Sequence, residues 1–256
     1  MRWGTSIGGV TASTIVGAAL VSGLALPAQA ADNKLNLSAT ATITTDYVFR
    51  GISQTQGNPA VQGEFDATYG IFYAGIWSSS LDFGGNGNGR QLAPLEIDYY
   101  AGITPSWQSI DFDIAGLYYT YPSAYDPGGN FDYFELKTAA SHKFGDALTL
   151  GIGNYWSPEF FGETGDADAL ELTGEYAFQN KWWIFSPSVS GLVGWQWTQS
   201  YDYTYWNVGL TLGFLDHWSA DIRYWDTDFS STGCAGFSGF RDNCDARVVG
   251  TLSASF

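Results

Sequence analysis

The amino-acid sequence predicts an all-β fold: a transmembrane, antiparallel, up-and-down β-barrel of about 12 strands, with ten as the runner-up count. Three observations predict it. Apolar and polar side chains alternate with a period of two in segment after segment, connectors alternate between short and long, and aromatic residues gather at segment ends down to a terminal Phe256. A period of two is the pleat of a strand whose two faces meet different surroundings.

The first 30 residues stand apart. Arg2, an apolar stretch reaching Leu26, and the small-residue site Ala28-Gln29-Ala30 form a secretory signal peptide cleaved after Ala30. An anchoring helix is the competing reading, and the polar run Ala31-Asp32-Asn33-Lys34 that follows argues against it. Residues 31–256 form one domain, with no linker or shift in composition. The 26 acidic against 10 basic residues exclude nucleic acid as a partner, since that affinity rests on neutralising phosphates. Glycine and aromatic residues abound beside a single Met, a mixture that suits strands and turns.

Twelve segments read as strands: 35–50, 59–69, 72–83, 95–105, 110–121, 131–144, 148–157, 168–178, 183–197, 204–214, 218–227 and 245–256. In the first, Leu35, Leu37, Ala39, Ala41, Ile43, Tyr47 and Phe49 share one parity, and Asn36, Ser38, Thr40, Thr42, Thr44 and Asp46 the other. The third is ambiguous, because Phe72, Ala74 and Ile76 compete with Tyr73 and Trp77. The fourth sets Leu95, Ile97, Tyr99, Ala101 and Ile103 against Glu96, Asp98, Tyr100 and Gly102. In the eighth, Leu170, Leu172, Tyr176 and Phe178 oppose Glu171, Thr173 and Glu175; in the tenth, Trp206, Val208, Leu210 and Leu212 oppose Asn207, Gly209 and Thr211. Connectors after even-numbered segments are tight, and those after odd ones are mostly longer and more polar, 198–203 being the short exception. A meander with one short-turn rim and one long-loop rim has this alternation. Twelve strands over residues 31–256 leave room for the ~9–11 residues that a membrane strand needs.

Periodicity alone does not say which face is the interior. A soluble barrel turns its apolar row inward, and a membrane barrel turns it out to lipid. Lysine is scarce on the polar parity, where a soluble surface would carry it. Aromatics (Tyr47, Phe49, Trp107, Phe144, Trp156, Phe178, Trp182, Trp183, Trp195, Trp197, Phe214 and Trp218) sit where interfacial girdles need them. The final strand, with Val248, Gly250, Leu252, Ala254 and Phe256 on one parity, ends as barrels do that the insertion machinery reads. The apolar row therefore faces lipid, in the outer membrane of a Gram-negative bacterium.

The stretch TTDYVFRGISQTQGNPAVQGEFD (44–66), with FYAGIWSSSLDFG, EIDYYAGI and the terminal NCDARVVGTLSASF, resembles the TorF family of proteobacterial porins, the Gcw_chp domain. The resemblance spans nearly all of residues 31–256. It implies an outer-membrane barrel and no catalytic residues, and it leaves the cargo open.

Placing the polar row inside gives the lumen its charges. The candidate selectivity residues are Arg50, Glu64, Asp66, Glu96, Asp98, Lys137, Glu171, Glu175, Asp221, Arg223 and Arg247, and acids outnumber bases. Carboxylates raise the local cation concentration and repel anions, which predicts a cation-preferring pore for small hydrophilic solutes. The same charges can instead pair and brace a non-conducting structural or adhesion barrel. Arg50 is expected to pair with Glu64 or Asp66, and Asp221 with Arg223. Cys234 and Cys244, in one glycine-rich stretch of an exported chain, are expected to form a disulfide. Nothing assembles a catalytic, metal or cofactor site, since His142 and His217 are the only histidines and sit apart. Outer-membrane lipid, lipopolysaccharide reached through cations at the acidic loops, and the barrel-assembly machinery are the expected partners.

Overall fold

The computed structural model describes residues 34–85, 91–125 and 130–256. The leader expected at 1–30 lies outside them, as does most of the glycine-rich connector 84–90. Twelve long strands follow in order: β1 (Leu35–Thr44), β2 (Ala60–Tyr69), β3 (Phe72–Ser80), β4 (Leu95–Ile103), β5 (Ile110–Thr120), β6 (Tyr133–Phe144), β7 (Leu148–Ser157), β8 (Ala167–Ala177), β9 (Ser186–Thr198), β10 (Asp202–Phe214), β11 (Trp218–Thr227) and β12 (Arg247–Ser255). Each pairs antiparallel with the next, and β12 returns to pair with β1, so the sheet has no open edge. Closure is what hydrocarbon demands, because an unpaired backbone amide there costs several kcal/mol.

The closing seam is short and reinforced from inside. Residues Thr40 to Thr44 pair with Ser255 to Thr251, and the backbones of Ala39 and Phe256 exchange two further hydrogen bonds. On the lumen side Thr40–Ser255, Thr42–Ser253 and Thr44–Thr251 bond hydroxyl to hydroxyl at 2.9–3.1 Å. Such directly opposed pairs contribute roughly 0.2–1 kcal/mol each. The polar row of β1 is thus a lace across the seam.

The apolar row faces outward. Leu35, Leu37, Ile43, Phe65, Val208, Ile222 and Val248 are all exposed, while Thr40, Thr44, Glu96, Asp98 and Glu171 are buried. The ambiguous third strand resolves the same way: Phe72 and Ile76 point out, Tyr73 and Trp77 in. Trp107, Phe144, Phe178, Trp182, Trp183 and Trp218 line the short-turn rim, and Trp156 and Trp197 the long-loop rim.

Two departures from the sequence reading concern the first segment. The strand ends at Thr44 rather than at residue 50, and Tyr47 and Phe49 leave the expected girdle to turn into the barrel. The cause is local. Thr44 donates its hydroxyl to the Asp46 carbonyl, and Asp46 accepts from Ser53, Thr55 and Arg247 at 2.6–2.8 Å, which bends the chain inward. Across the barrel mouth, the last long connector carries α1 (Ser231–Ser238), which the sequence pattern did not foretell. Ser230 caps its start, Gly239 at φ 82° ends it, and the Cys234–Cys244 disulfide ties it down as expected.

Candidate functional site in the lumen

The first long loop is an inward-folded hairpin. Val48–Phe49 pairs with Ile52–Ser53 around Arg50 and Gly51, both at positive φ (47° and 80°), the pattern of a type I′ turn. Left-handed backbone at a non-glycine residue costs about 1–2 kcal/mol. At Gly51 any side chain would strike Thr227 and Tyr205 of the wall, so glycine is needed there for space as well as for φ. The loop is also pinned by backbone, with the Ser53 amide donating to the Asn243 carbonyl at 2.8 Å.

This turn carries Arg50 across the lumen. Its guanidinium donates to both carboxylate oxygens of Glu135 on β6 (2.7 and 2.8 Å) and to Gln196 on β9 (3.0 Å), and it lies over the rings of Phe49 and Tyr155. Both partners of the ion pair are buried. Burial, the largest single influence, would loosen the Arg50 proton, but the Glu135 carboxylate together with Tyr205 and Tyr119 outweighs it and holds the group well above its ordinary value. Arg50 does not meet Glu64 or Asp66 as the sequence suggested, because the hairpin folds away from β2 and reaches the opposite wall.

The hairpin has apolar packing on both sides. Tyr47 joins a cluster with Tyr73, Trp77, Tyr100, Tyr119, Tyr121 and Tyr133, and Phe49 packs against it. Val48 and Ile52 join a second cluster with Leu192, Tyr203, Tyr205, Trp225 and the disulfide, and Phe237 of α1 touches both. The lumen beside the long loops is therefore rich in aromatic rings. Sequence reasoning missed these tyrosines, since neighbours such as Tyr118-Tyr119 occupy both parities.

The remaining charges fall into pairs and orphans. Asp113 binds Lys137 at 2.8 Å and accepts from Tyr73, and Arg247 binds Asp46. Asp221 binds Arg223 at 3.0 Å, as the spacing predicted, and Arg223 also donates to Asn207 and Ser190. Glu64 and Asp66 share the Tyr100 hydroxyl, and Glu171 accepts from Tyr205. Among the described residues no base pairs with Glu64, Asp66, Glu96, Asp98, Glu171 or Glu175. Asp111 and Lys143 lie at the short-turn end, where Asp111 accepts from Ser106.

Comparison with known proteins agrees with this architecture. The KdgM porin superposes with a TM-score of 0.57 at 8% identity, covering 86% of this chain and 99% of that one. The NanC porin, in a rhombohedral crystal form, superposes with a TM-score of 0.50 at 10% identity, covering 86% and 99%. Likeness at such low identity is one of fold: a transmembrane β-barrel of the porin kind. No curated protein matches the chain. Residues 28–256 match the model of a bacterial protein of unknown function, Gcw_chp, in agreement with the resemblance carried by residues 44–66. The chain belongs to the Gcw_chp family.

Proposed function

We propose that this barrel is an outer-membrane channel for small hydrophilic solutes, of the TorF kind, with the hairpin at Arg50 as its constriction and a preference for cations. The leader is removed after Ala30, both ends of the remaining chain lie in the periplasm, and the long loops face outside, where their acids reach lipopolysaccharide through divalent cations. The observation that carries the reading is the set of seven lumen acids, the six above with Asp111, that form no ion pair among the described residues, set against five lumen bases of which four are paired and the fifth, Lys143, shares the level of Glu175. A low-dielectric wall focuses that excess charge along the path. The channel acts by diffusion, without chemistry. Reversal potentials in planar bilayers under a KCl gradient test it: cation selectivity is expected, and anion selectivity overturns the preference.

A second reading has its own support. The buried Arg50–Glu135 pair and the aromatic packing around it brace the barrel, as a structural or adhesion barrel would require. Swelling of liposomes in sugars of graded size separates the two: correctly folded protein that admits no sugar is the bracing barrel.

A further inference from the structure

Glu96 and Asp98 occupy consecutive inward positions of β4, and each is 3% exposed. The Glu96 Oε1 atom accepts from the Tyr121 hydroxyl at 3.1 Å, but Glu96 Oε2 and Asp98 Oδ1 have no hydrogen-bond partner among the described residues. Among the described residues, the base that enters this region, Arg50, is committed to Glu135. Buried acceptors left unmade cost about 1–3 kcal/mol each, and more when charged.

The walls around these oxygens are aromatic. Trp77 and Tyr119 are the direct cross-strand neighbours of Asp98 on either side. The Tyr47 ring lies 5.2 Å from that of Trp77, and Tyr133 stacks on Tyr119 at 4.3 Å. Tyr47, in the loop, is pushed well above its ordinary value by burial, then by the negative charges of Glu96 and Asp98 and by a hydrogen bond to Glu96, so its phenol stays protonated beside both.

Orphaned carboxylate oxygens ask for a cation that donates hydrogen bonds, and ring faces attract a cation of low hydration. A calcium ion needs six to eight oxygens, roughly, which rings cannot supply. We propose that Glu96 and Asp98, walled by Trp77, Tyr119 and Tyr47, form a subsite for a primary ammonium group on a solute. Its N–H bonds go to Glu96 Oε2 and Asp98 Oδ1, and its charge faces the rings. The subsite deepens the cation-channel reading and rests on it for its physiological meaning, while its occupancy can be measured without conduction.

Titration calorimetry of methylammonium chloride into the folded barrel in detergent tests the subsite. Saturable binding is expected, with tetramethylammonium, which has no N–H, and calcium each binding at least tenfold more weakly. The double variant Glu96→Gln, Asp98→Asn, with folding checked by heat-modifiable migration, is expected to bind at least tenfold more weakly than the parent. No binding by the parent, equal binding by a folded variant, or equally tight binding of either competing cation overturns the subsite. If the variant does not fold, the three-cation comparison on the parent decides alone. Retained binding in a barrel that passes no current sinks the channel reading and leaves the subsite standing.

Discussion

Arg50 and Glu135, 85 positions apart in the chain, meet in a two-pronged ion pair at 2.7 and 2.8 Å that spans the lumen from the first loop to β6. Removing one partner strands the other's charge in a buried site, at a cost of about 3–5 kcal/mol, whereas replacing both with apolar groups is often neutral. Arg50→Met is therefore expected to lower stability by that amount, and adding Glu135→Leu to restore most of it. Urea unfolding of the barrel in vesicles reads both values. The same single variant frees the hairpin tip from the far wall, and a larger single-channel conductance is expected. Equal losses in the single and double variants would show that the pair is not what holds the loop.

The inside-out pattern gives a paired prediction. Val208 points outward near the middle of β10 and is 53% exposed, whereas Thr149 points inward between Glu175 and Lys143 on its two neighbouring strands. Arginine on the lipid face at the bilayer midplane costs about 2–4 kcal/mol. Val208→Arg is expected to cost that much, and Thr149→Arg, in the polar lumen with the attraction of Glu175 offset by the repulsion of Lys143, less than about 1 kcal/mol. Unfolding midpoints of the two variants under one set of conditions check the difference, and its reversal would turn the barrel's faces around.

How far these features were legible in the sequence depends on the distance over which they are decided. The twelve strands were legible because the pleat writes its period into neighbours: Leu95 to Ile103 and Leu170 to Phe178 show their faces unaided. The Asp221–Arg223 pair was legible for the same reason, being two residues apart on one face. The inward loop was not. Tyr47 and Phe49 continue the parity of Ile43 and look like strand, while the bend is made by side-chain bonds from Thr44, Ser53, Thr55 and Arg247 around Asp46. The partner of Arg50 depends on how the closed barrel brings β6 opposite the first loop, which no local pattern encodes. The helix at Ser231–Ser238 carries Gly233 and Gly236, poor helix formers, and is held by its caps and the disulfide.

That disulfide closes a loop of sequence separation 10 between Cys234 and Cys244, both buried. Constraining a loop of this length stabilises by about 2–3 kcal/mol on the chain-entropy account. Because the bond lies in the connector between β11 and β12, its loss is expected to loosen 228–246 and leave the barrel closed. Alkylation of the native protein is expected to add no mass until reductant is present. After reduction, limited proteolysis should cut within that connector while the trypsin-resistant barrel survives.

A substitution at Phe256 can test assembly and stability separately. Its ring is 72% exposed on the outer face and stacks on His217, with centroids 5.4 Å apart. Its backbone amide and carbonyl pair with Ala39 at 2.9 and 3.0 Å, bonds that do not need the ring. Phe256→Ala keeps the seam ladder and removes an exposed side chain, so the unfolding free energy is expected to change by less than about 1 kcal/mol. If the insertion machinery reads the terminal ring, the same variant should accumulate as unassembled chain during expression. The fraction that migrates as heat-modifiable barrel in membranes measures assembly, and urea unfolding of the assembled fraction measures stability. A fall in the first with the second unchanged is the expected outcome, and a parallel fall in both would make the ring a structural part of the seam.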